Sequence, residues 1–321
     1  MPGGARSARI RAVPTPLRRR WTALVAGIGL LATGCTAAGV TLTTGPAPAD
    51  PPPGVVVSDR VSAVPATPDG EVLTLLLLGA DEGELDGQLG RADAFHLAFL
   101  SGDRQDATLV SVPRDAWVPV PGRGTTKINA CLVDGPDVCV ATVEDHFGID
   151  VDHVVVTTLD AFATAIDQLG GVELDVDRAL ELSPEHRLEP GRQLLSGADA
   201  LVYARDRTHR ADGDLGRSRA QGELLAALHA RLADDPSLTA MATAAATLRM
   251  HTVTDLTEVE LVQLGLQVAR LDGGRITLAQ TPGAPAMVGP ASVVLLDEDA
   301  VPLVQDAADD GRLELADAPT D

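Results

Sequence analysis

The stretch DHVVVTTLDAFATAIDQLGGVELDV, residues 152–176, predicts a strand, a helix and a second strand in succession. Its Val- and Thr-rich start is typical of a buried strand. The segment LDAFATAIDQLG has a helical pattern that Gly170 and Gly171 stop, and VELDV then predicts another strand. Two strands joined through a helix in one sheet are parallel, so the stretch predicts an α/β fold with helices covering a partly parallel sheet.

The flanking sequence extends this sheet. VLTLLLLGAD predicts a buried strand that ends at Asp81, and the turn at Gly102-Asp103 joins DAFHLAFLS and ATLVSVPRD as an antiparallel hairpin. Two further segments, VCVATVEDHFG and RAQGELLAALHARLADD, predict helices, and residues 238–312 predict two helices and two short strands. We therefore expect one three-layer α-β-α domain over residues 70–312, with a mixed, partly parallel central sheet and a flexible tail over residues 313–321.

The N-terminal region predicts attachment to a membrane. Residues 1–20 carry six arginines and no acid, and residues 21–42 carry no charged side chain. The apolar run is long enough to be a transmembrane anchor. It also fits a lipoprotein signal, with Cys35 in LATGC as the lipidated residue. Under the positive-inside rule residues 1–20 stay cytoplasmic. The Pro-rich linker, residues 43–69, would then carry an extracytoplasmic domain.

Charge and missing motifs exclude several functions. The formal net charge of −21 argues against nucleic-acid binding, which needs a broad basic surface. The sequence contains no nucleophile elbow for Ser-His-Asp hydrolysis. It also contains no Walker loop and no GxGxxG motif.

Two cysteines, Cys131 and Cys139, lie close together in CLVDGPDVC. In an oxidising compartment this arrangement predicts a disulfide. The alternative is a pair of buried free thiols.

Five polar clusters stand at the ends of apolar strands, where α/β folds place ligands. They are Gly79-Ala80-Asp81, Arg91-Ala92-Asp93, Pro113-Arg114-Asp115, Lys127-Ile128-Asn129 and YARDRTHRADGDLGRSRAQ, residues 203–221.

The fifth cluster predicts an anion site. ALVYARDR has a strand-like pattern that would place Arg205 and Arg207 on one face. The following helix would bring Arg217 and Gln221 together one turn apart. Because guanidinium groups bind phosphate in a bidentate way, we expect a pyrophosphate here. Asp214 is interpreted as a helix cap, and Arg210 as an ordinary charged residue.

The acids predict a metal ion. Asp81 and Asp93 lie at the ends of neighbouring strands, and carboxylates beside a phosphate site commonly hold Mg²⁺. Asp115 would be held by an arginine or reach the metal. Together, the acids and arginines predict phosphoryl transfer, in which positioning and charge neutralisation provide most of the catalysis.

The order of these motifs resembles that of the LytR-CpsA-Psr family of bacterial cell-wall enzymes. The matching segments are LLLLGAD, RADAF, SVPRD, TKIN, LGGVELDV and YARDR…GDLGR..AQ. The resemblance implies a phosphotransferase that moves a glycopolymer from an undecaprenyl-pyrophosphate carrier to a muramic acid hydroxyl of peptidoglycan, assisted by Mg²⁺. It also implies partners in the cell membrane and the wall. Two alternatives stay open, a polyprenyl-pyrophosphate hydrolase and a non-catalytic scaffold or regulator that binds polyprenyl phosphates.

The resemblance also implies residue roles. Asp81 and Asp93 would hold the metal. The remaining site residues would bind phosphate or support the site, and they are Arg91, Arg114, Asp115, Lys127, Asn129, Arg205, Arg207, Arg217 and Gln221. The chain departs from the family pattern at Ala220, where an arginine is usual, and at Gly222, where a second glutamine is usual.

Overall fold

The computed structural model describes residues 70–80, 90–183, 186–206, 210, 213–234 and 252–313. The predicted basic segment, anchor and linker lie outside these residues, as do Cys35, Asp81 and Arg207. Within the described ranges, no helix is both long and apolar enough to cross a membrane.

The elements follow one another closely along the chain. The strands are β1 (Leu73–Ala80), β2 (Ala92–Leu100), β3 (Ala107–Ser111), β4 (Trp117–Val120), β5 (Gly124–Lys127), β6 (His153–Thr158), β7 (Val172–Val176), β8 (Leu180–Ser183), β9 (His186–Leu188), β10 (Gly191–Leu195), β11 (Thr252–Thr254), β12 (Ile276–Gln280), β13 (Gly283–Val288) and β14 (Ala291–Leu296). The helices are α1 (Pro136–Phe147), α2 (Leu159–Gln168), α3 (Gly197–Arg205), α4 (Asp214–Asp234), α5 (Glu258–Ala269) and α6 (Ala300–Asp310), with short 3-10 helices at Ile128–Asp134 and Gly273–Arg275.

A six-stranded sheet with the order β11-β6-β1-β2-β3-β12 forms the centre of the domain. The pairs β1–β6 and β3–β12 are parallel. The pairs β1–β2, β2–β3 and β6–β11 are antiparallel. The predicted mixed, partly parallel sheet is therefore confirmed, as is the predicted hairpin of β2 and β3.

Helices cover both faces of this sheet because its central strands are apolar on both sides. Along β1, Leu76 and Leu78 join a core that includes residues of α1 and α6. The alternate residues Leu73 and Leu75 join a second core, against which Leu261 and Val268 of α5 pack. The result is the predicted three-layer arrangement.

The strand–helix–strand unit at residues 152–176 differs from the prediction. Strand β7 pairs antiparallel with β10 in a separate two-stranded sheet, so it is not a parallel neighbour of β6. The two places beside β6 are taken by β1 and β11. Gly171, with φ +97°, leads into β7, and a Cβ atom there would lie 2.9 Å from the Leu195 carbonyl oxygen. The true parallel partner of β6 is β1.

Two further predictions need correction. The segment ALVYARDR is not a strand, because residues 197–205 form α3. A capping box between Ser196 and Asp199 starts this helix, and its S-x-x-D pattern is visible in the sequence. Residues 252–313 hold the two predicted helices but four strands instead of two.

The cysteine prediction agrees with the structure. Cys131 and Cys139 are joined in a disulfide, and both are fully buried. The bridge ties the 3-10 helix Ile128–Asp134 to α1. The same 3-10 helix donates a backbone hydrogen bond from Asn129 to the Arg114 carbonyl, at 3.2 Å. The disulfide therefore fixes a segment that contacts one of the predicted polar clusters.

Candidate active site

Residues of four of the predicted polar clusters meet at one edge of the central sheet. Strand β1 ends there, β2 begins there, and β3 leads through Val112 and Pro113 to Arg114. The pairing of β1 with β2 is irregular at this edge, because Gly79 faces Ala94 while Ala80 faces Ala92. Asp93 is the extra residue of this β-bulge. Bulges redirect side chains, and this one takes Asp93 out of the regular alternation of β2.

Arg114 is the centre of the cluster. Its guanidinium forms an ion pair with Asp93 through Nη1, and its Nε lies 3.6 Å from Asp214 Oδ1 and 4.0 Å from Asp115 Oδ1. Only 14% of the Arg114 side chain is exposed. One arginine thus gathers three carboxylates that are far apart in sequence, and its charge offsets part of their mutual repulsion.

The first turn of α4 supplies Asp214 and Arg217, which form an ion pair with each other. Burial raises the pKa of the Asp214 carboxyl above its usual value, while the charges of Arg217 and Arg114 act in the opposite direction. Burial likewise lowers the pKa of Arg217, and Asp214 opposes that change. Two guanidinium groups therefore lie close together in a largely desolvated place, with a helix N-terminus beside them.

Three more predicted residues surround this centre. Lys127, at the end of β5, places its Nζ 3.0 Å from Asp115 Oδ1. Asn129 is the second residue of the 3-10 helix Ile128–Asp134 and is only 4% exposed. Gln221 donates through Nε2 to the backbone carbonyls of Asp93 and Ala204, both at 3.3 Å. Gln221 therefore connects the Asp93 bulge to the end of α3.

Two other predicted phosphate-binding residues are exposed, and their roles stay predictions. Arg91 is exposed just before β2, and Arg205 is exposed at the last position of α3. The expectation that Arg205 and Arg207 share a strand face is wrong, because residue 205 is helical. Asp81 and Arg207 lie outside the described residues, so their predicted roles stay predictions.

Asp214 and Arg210 make more contacts than the sequence analysis expected of them. Asp214 is not only a helix cap, because it contacts both Arg114 and Arg217. Arg210 is buried rather than an ordinary surface charge, with its guanidinium carbon 4.9 Å from the centroid of the Tyr203 ring. For Asp214, the i, i+3 spacing to Arg217 at the start of a helix was a sequence feature that could have predicted the contact. The sequence offers no comparable signal for Arg210.

The departures from the family pattern have a packing reason. Ala220 is fully buried, in the apolar cluster that α4 shares with α3, so an arginine side chain would not fit without repacking. Gly222 faces β3, where an added Cβ atom would lie 2.9 Å from Ser111 Oγ. Ser111 Oγ is in turn 3.0 Å from His96 Nδ1. Small residues at 220 and 222 thus let α4 lie close against the sheet.

The chemistry of the cluster fits an anion with an accompanying cation. Within the described residues, the buried Nε atoms of Arg114 and Arg217 and the Oδ2 atom of Asp214 have no hydrogen-bond partner. Unsatisfied buried donors of this kind suit phosphate oxygens. The described part of the chain has no group of three or more acidic, His or Cys side chains placed to hold a metal by itself. Mg²⁺ needs fewer protein ligands when phosphate and water complete its shell.

Comparison with known proteins identifies the family. The model of the LytR_cpsA_psr family matches residues 56–309. The chain belongs to this family. The LytR_cpsA_psr match covers all but the last four described residues, and it includes every residue of the cluster.

Curated relatives of this LytR_cpsA_psr chain carry the name polyisoprenyl-teichoic acid–peptidoglycan teichoic acid transferase. TagU of Oceanobacillus iheyensis is 33% identical over 176 residues, which are 53% of this chain and 54% of that protein. TagT of Bacillus subtilis is 35% identical over 172 residues, which are 50% of this chain and 53% of that protein. The match therefore spans about half the length of each relative.

Solved structures show the same fold. The crystal structure of B. subtilis TagV has a TM-score of 0.66 and 26% identity, over 74% of this chain and 96% of that chain. A structure of TagT bound to LI-WTA has a TM-score of 0.61 and 26% identity, over 74% of this chain and 89% of that chain. The mixed sheet flanked by helices is thus the architecture of the LytR_cpsA_psr domain.

Proposed function

We propose that this protein transfers a glycopolymer from an undecaprenyl-pyrophosphate carrier to a muramic acid hydroxyl of peptidoglycan. The observation that carries the proposal is the pair of buried guanidinium groups, Arg114 and Arg217, whose Nε atoms make no hydrogen bond in the described part of the chain. Two fixed positive charges in a desolvated place bind a pyrophosphate far better than they would in water. The names of the curated relatives support the polymer and acceptor classes.

In the proposed reaction the acceptor hydroxyl oxygen attacks the phosphorus that carries the polymer. A new oxygen–phosphorus bond forms, and the bond from that phosphorus to the bridging oxygen breaks. The polymer becomes linked by a phosphodiester, the lipid monophosphate leaves, and the hydroxyl proton passes to a base or to solvent. Arg114 and Arg217 would bind the phosphate oxygens, whose charge is redistributed during transfer.

The carboxylates would have two tasks. Asp93, with Asp81, would hold Mg²⁺, which when bound supplies additional neutralisation of phosphate charge. Asp115 and Asp214 would orient the cations. Asp115 lies between Lys127 and Arg114, and Asp214 lies between Arg114 and Arg217. Removing either carboxylate would let the cations separate.

The proposed reaction also requires the domain to lie on the outer side of the membrane. An undecaprenyl carrier lies in the membrane and peptidoglycan lies outside it. The chain would be attached through residues 21–42 or through a lipid on Cys35, with residues 1–20 in the cytoplasm and the domain on the outer side. Residues 43–69 would connect the two as an extended linker.

A transfer assay tests this proposal. The full chain in detergent is given a prenyl-pyrophosphate-linked sugar, a muramyl acceptor and magnesium, and phosphodiester product and lipid monophosphate are measured separately. We expect both products to appear together and to be lost in Arg114→Ala and Asp93→Ala. Arg123→Ala is the control, because Arg123 pairs with Asp134 at an exposed place away from the cluster.

The same assay separates the alternatives. Release of lipid monophosphate without acceptor, at the same rate as with it, would point to a hydrolase. Tight binding of the prenyl pyrophosphate with no product in the presence of the acceptor would point to a scaffold or regulator. Equal activity in Arg114→Ala and Arg123→Ala would refute the proposed site.

A further inference from the structure

The hairpin of β13 and β14 has an unusual distribution of apolar side chains. The middle of β14 is packed, because Val293 and Val294 are almost fully buried, whereas Leu295, nearer the root of the hairpin, is 44% exposed. The tip of the hairpin is not packed: Met287 is 65% exposed and Val288 is 36% exposed. These two neighbours point to opposite faces of the ribbon. The tip of the hairpin is therefore apolar on both sides and open to the surroundings.

Charge is absent from this part of an otherwise acidic chain. Residues 276–296, which include the whole hairpin, contain no Asp, Glu, Lys, Arg or His, whereas the chain carries a net charge of −21. The acids Asp297, Glu298 and Asp299 come only at the root. Strands of six residues extend about 20 Å, so these acids are separated from the tip by most of the hairpin. An uncharged tip can approach an anionic lipid surface that repels the acidic body.

The hairpin lies at the edge of the sheet that carries the candidate site. Strands β1, β3 and β12 run in the same direction, so their C-terminal ends share this edge. The hairpin follows β12 directly, and the Thr281 amide donates to the Ser111 carbonyl at 3.0 Å. Its strand β14 is joined to the site itself, because the Val294 amide donates to the Asp115 carbonyl at 2.9 Å.

The chain before the domain is long enough to allow this edge to face a membrane. The domain begins near Glu71, at the opposite end of β1 from the site. The proline content of residues 43–69 predicts an extended linker, which at about 3 Å per residue would reach about 80 Å. A domain attached through residues 21–42 can therefore turn its site edge toward the bilayer.

We propose that the β13–β14 tip, Met287 and Val288, inserts into the surface of the lipid bilayer and holds the site edge against it. This inference rests on the proposed function, since a lipid pyrophosphate presents its phosphates at the membrane surface. Shallow insertion of a few apolar side chains is a usual way for proteins to contact a bilayer. The packed middle of β14 and its hydrogen bond to Asp115 would then set the height of the site above the lipid.

A depth measurement tests the insertion without requiring turnover. The full chain with Cys35→Ser and Met287→Cys is labelled with an environment-sensitive fluorophore; Cys131 and Cys139 are already joined. It is reconstituted in vesicles of phosphatidylethanolamine and phosphatidylglycerol that contain nitroxide-labelled lipid. We expect a blue-shifted emission that the nitroxide quenches. Val259→Cys is the matched control, because Val259 is also 65% exposed but follows β11, which ends at the opposite edge.

Two results would overturn the inference. One is a label at position 287 that is as water-exposed and unquenched as the label at position 259. The other is a blue shift at position 287 that is already present without vesicles, which would indicate contact with protein instead of lipid.

An activity measurement gives a second readout. With Met287→Asp and Val288→Asp combined, we expect turnover of a long-chain carrier embedded in vesicles to fall about tenfold, with turnover of a water-soluble geranyl-linked substrate unchanged. Val259→Asp should change neither. Equal losses on both substrates would contradict a membrane role. If the unmodified chain turns over neither substrate, the proposed function fails, and the depth measurement still decides the insertion.

Discussion

Replacement of Arg114 by lysine is the most informative single change at the site. Lysine keeps the positive charge but has one nitrogen in place of the planar guanidinium fork. Arg114 uses different nitrogens for different partners, Nη1 for Asp93 and Nε for Asp115 and Asp214. A single ammonium cannot occupy both positions. We therefore expect Arg114→Lys to keep one of the carboxylate contacts and to lose at least one other.

The size of the effect follows from the lost contact. The contact of Arg114 with Asp93 is a hydrogen bond between charged groups, and such a bond is worth about 1.5–3 kcal/mol. Each 1.4 kcal/mol corresponds to about a factor of ten. If the lost contact also positions the phosphate, kcat/KM should fall by about 10- to 150-fold. Because the charge is retained, the loss should be smaller than in Arg114→Ala.

The assay compares Arg114→Lys with Arg123→Lys in the transfer reaction. Arg123 donates to Asp134 through Nε and Nη2, with side chains 36% and 41% exposed, so its pair contributes little to stability and lies away from the cluster. Thermal unfolding of both variants checks that the domain is intact. An Arg114→Lys protein with the same kcat/KM as Arg123→Lys would refute the argument that the forked geometry matters.

Three further predictions concern stability. Replacing both Cys131 and Cys139 with alanine should lower the free energy of unfolding by about 2–3 kcal/mol, as expected for a short closed loop. Chemical denaturation under non-reducing conditions measures this change. A reductant should destabilise only the parent chain, because the variant has no disulfide to reduce. Gly222→Ala should cost about 1–3 kcal/mol because its Cβ atom would crowd Ser111 Oγ, and an unchanged melting temperature would contradict this. Burial lowers the pKa of His96 from 6.5 to about 4, so the neutral form stabilises the fold above pH 6.5 and this stability is lost as the pH falls toward 4. The loss should be roughly 3 kcal/mol and should be absent in His96→Gln.

The sequence identified much of the site because its motifs stand next to strong apolar strands. Asp93 and Arg114 each lie within a few residues of an end of a central-sheet strand, so local pattern alone brings them to one edge. Lys127 ends β5 of a separate two-stranded sheet, and its contact with Asp115 depends on tertiary packing. The role of Asp214 depends on contact with Arg114, which lies far away in the chain. Such a contact is created by the packing of α4 on the sheet and has no local signature.

The errors in fold prediction have a similar cause. The local pattern of VELDV correctly indicated a strand, but its partner β10 is chosen by tertiary packing. The pattern of ALVYARDR looked extended, although the capping box of Ser196 and Asp199 was a local signal for a helix. In the first case the information was not local. In the second it was local and was outweighed by the aromatic and aliphatic residues of the segment.

The bulge at Asp93 has a consequence for how this family could lose its chemistry. Asp93 is one residue more than the β1–β2 ladder requires, since Ala92 and Ala94 already face Ala80 and Gly79. Deleting codon 93 would give a regular ladder and remove the carboxylate in one step. A descendant of this kind would keep its fold and its arginines while lacking an acid of the site, so a lipid-phosphate receptor lies one small deletion away from the proposed transferase.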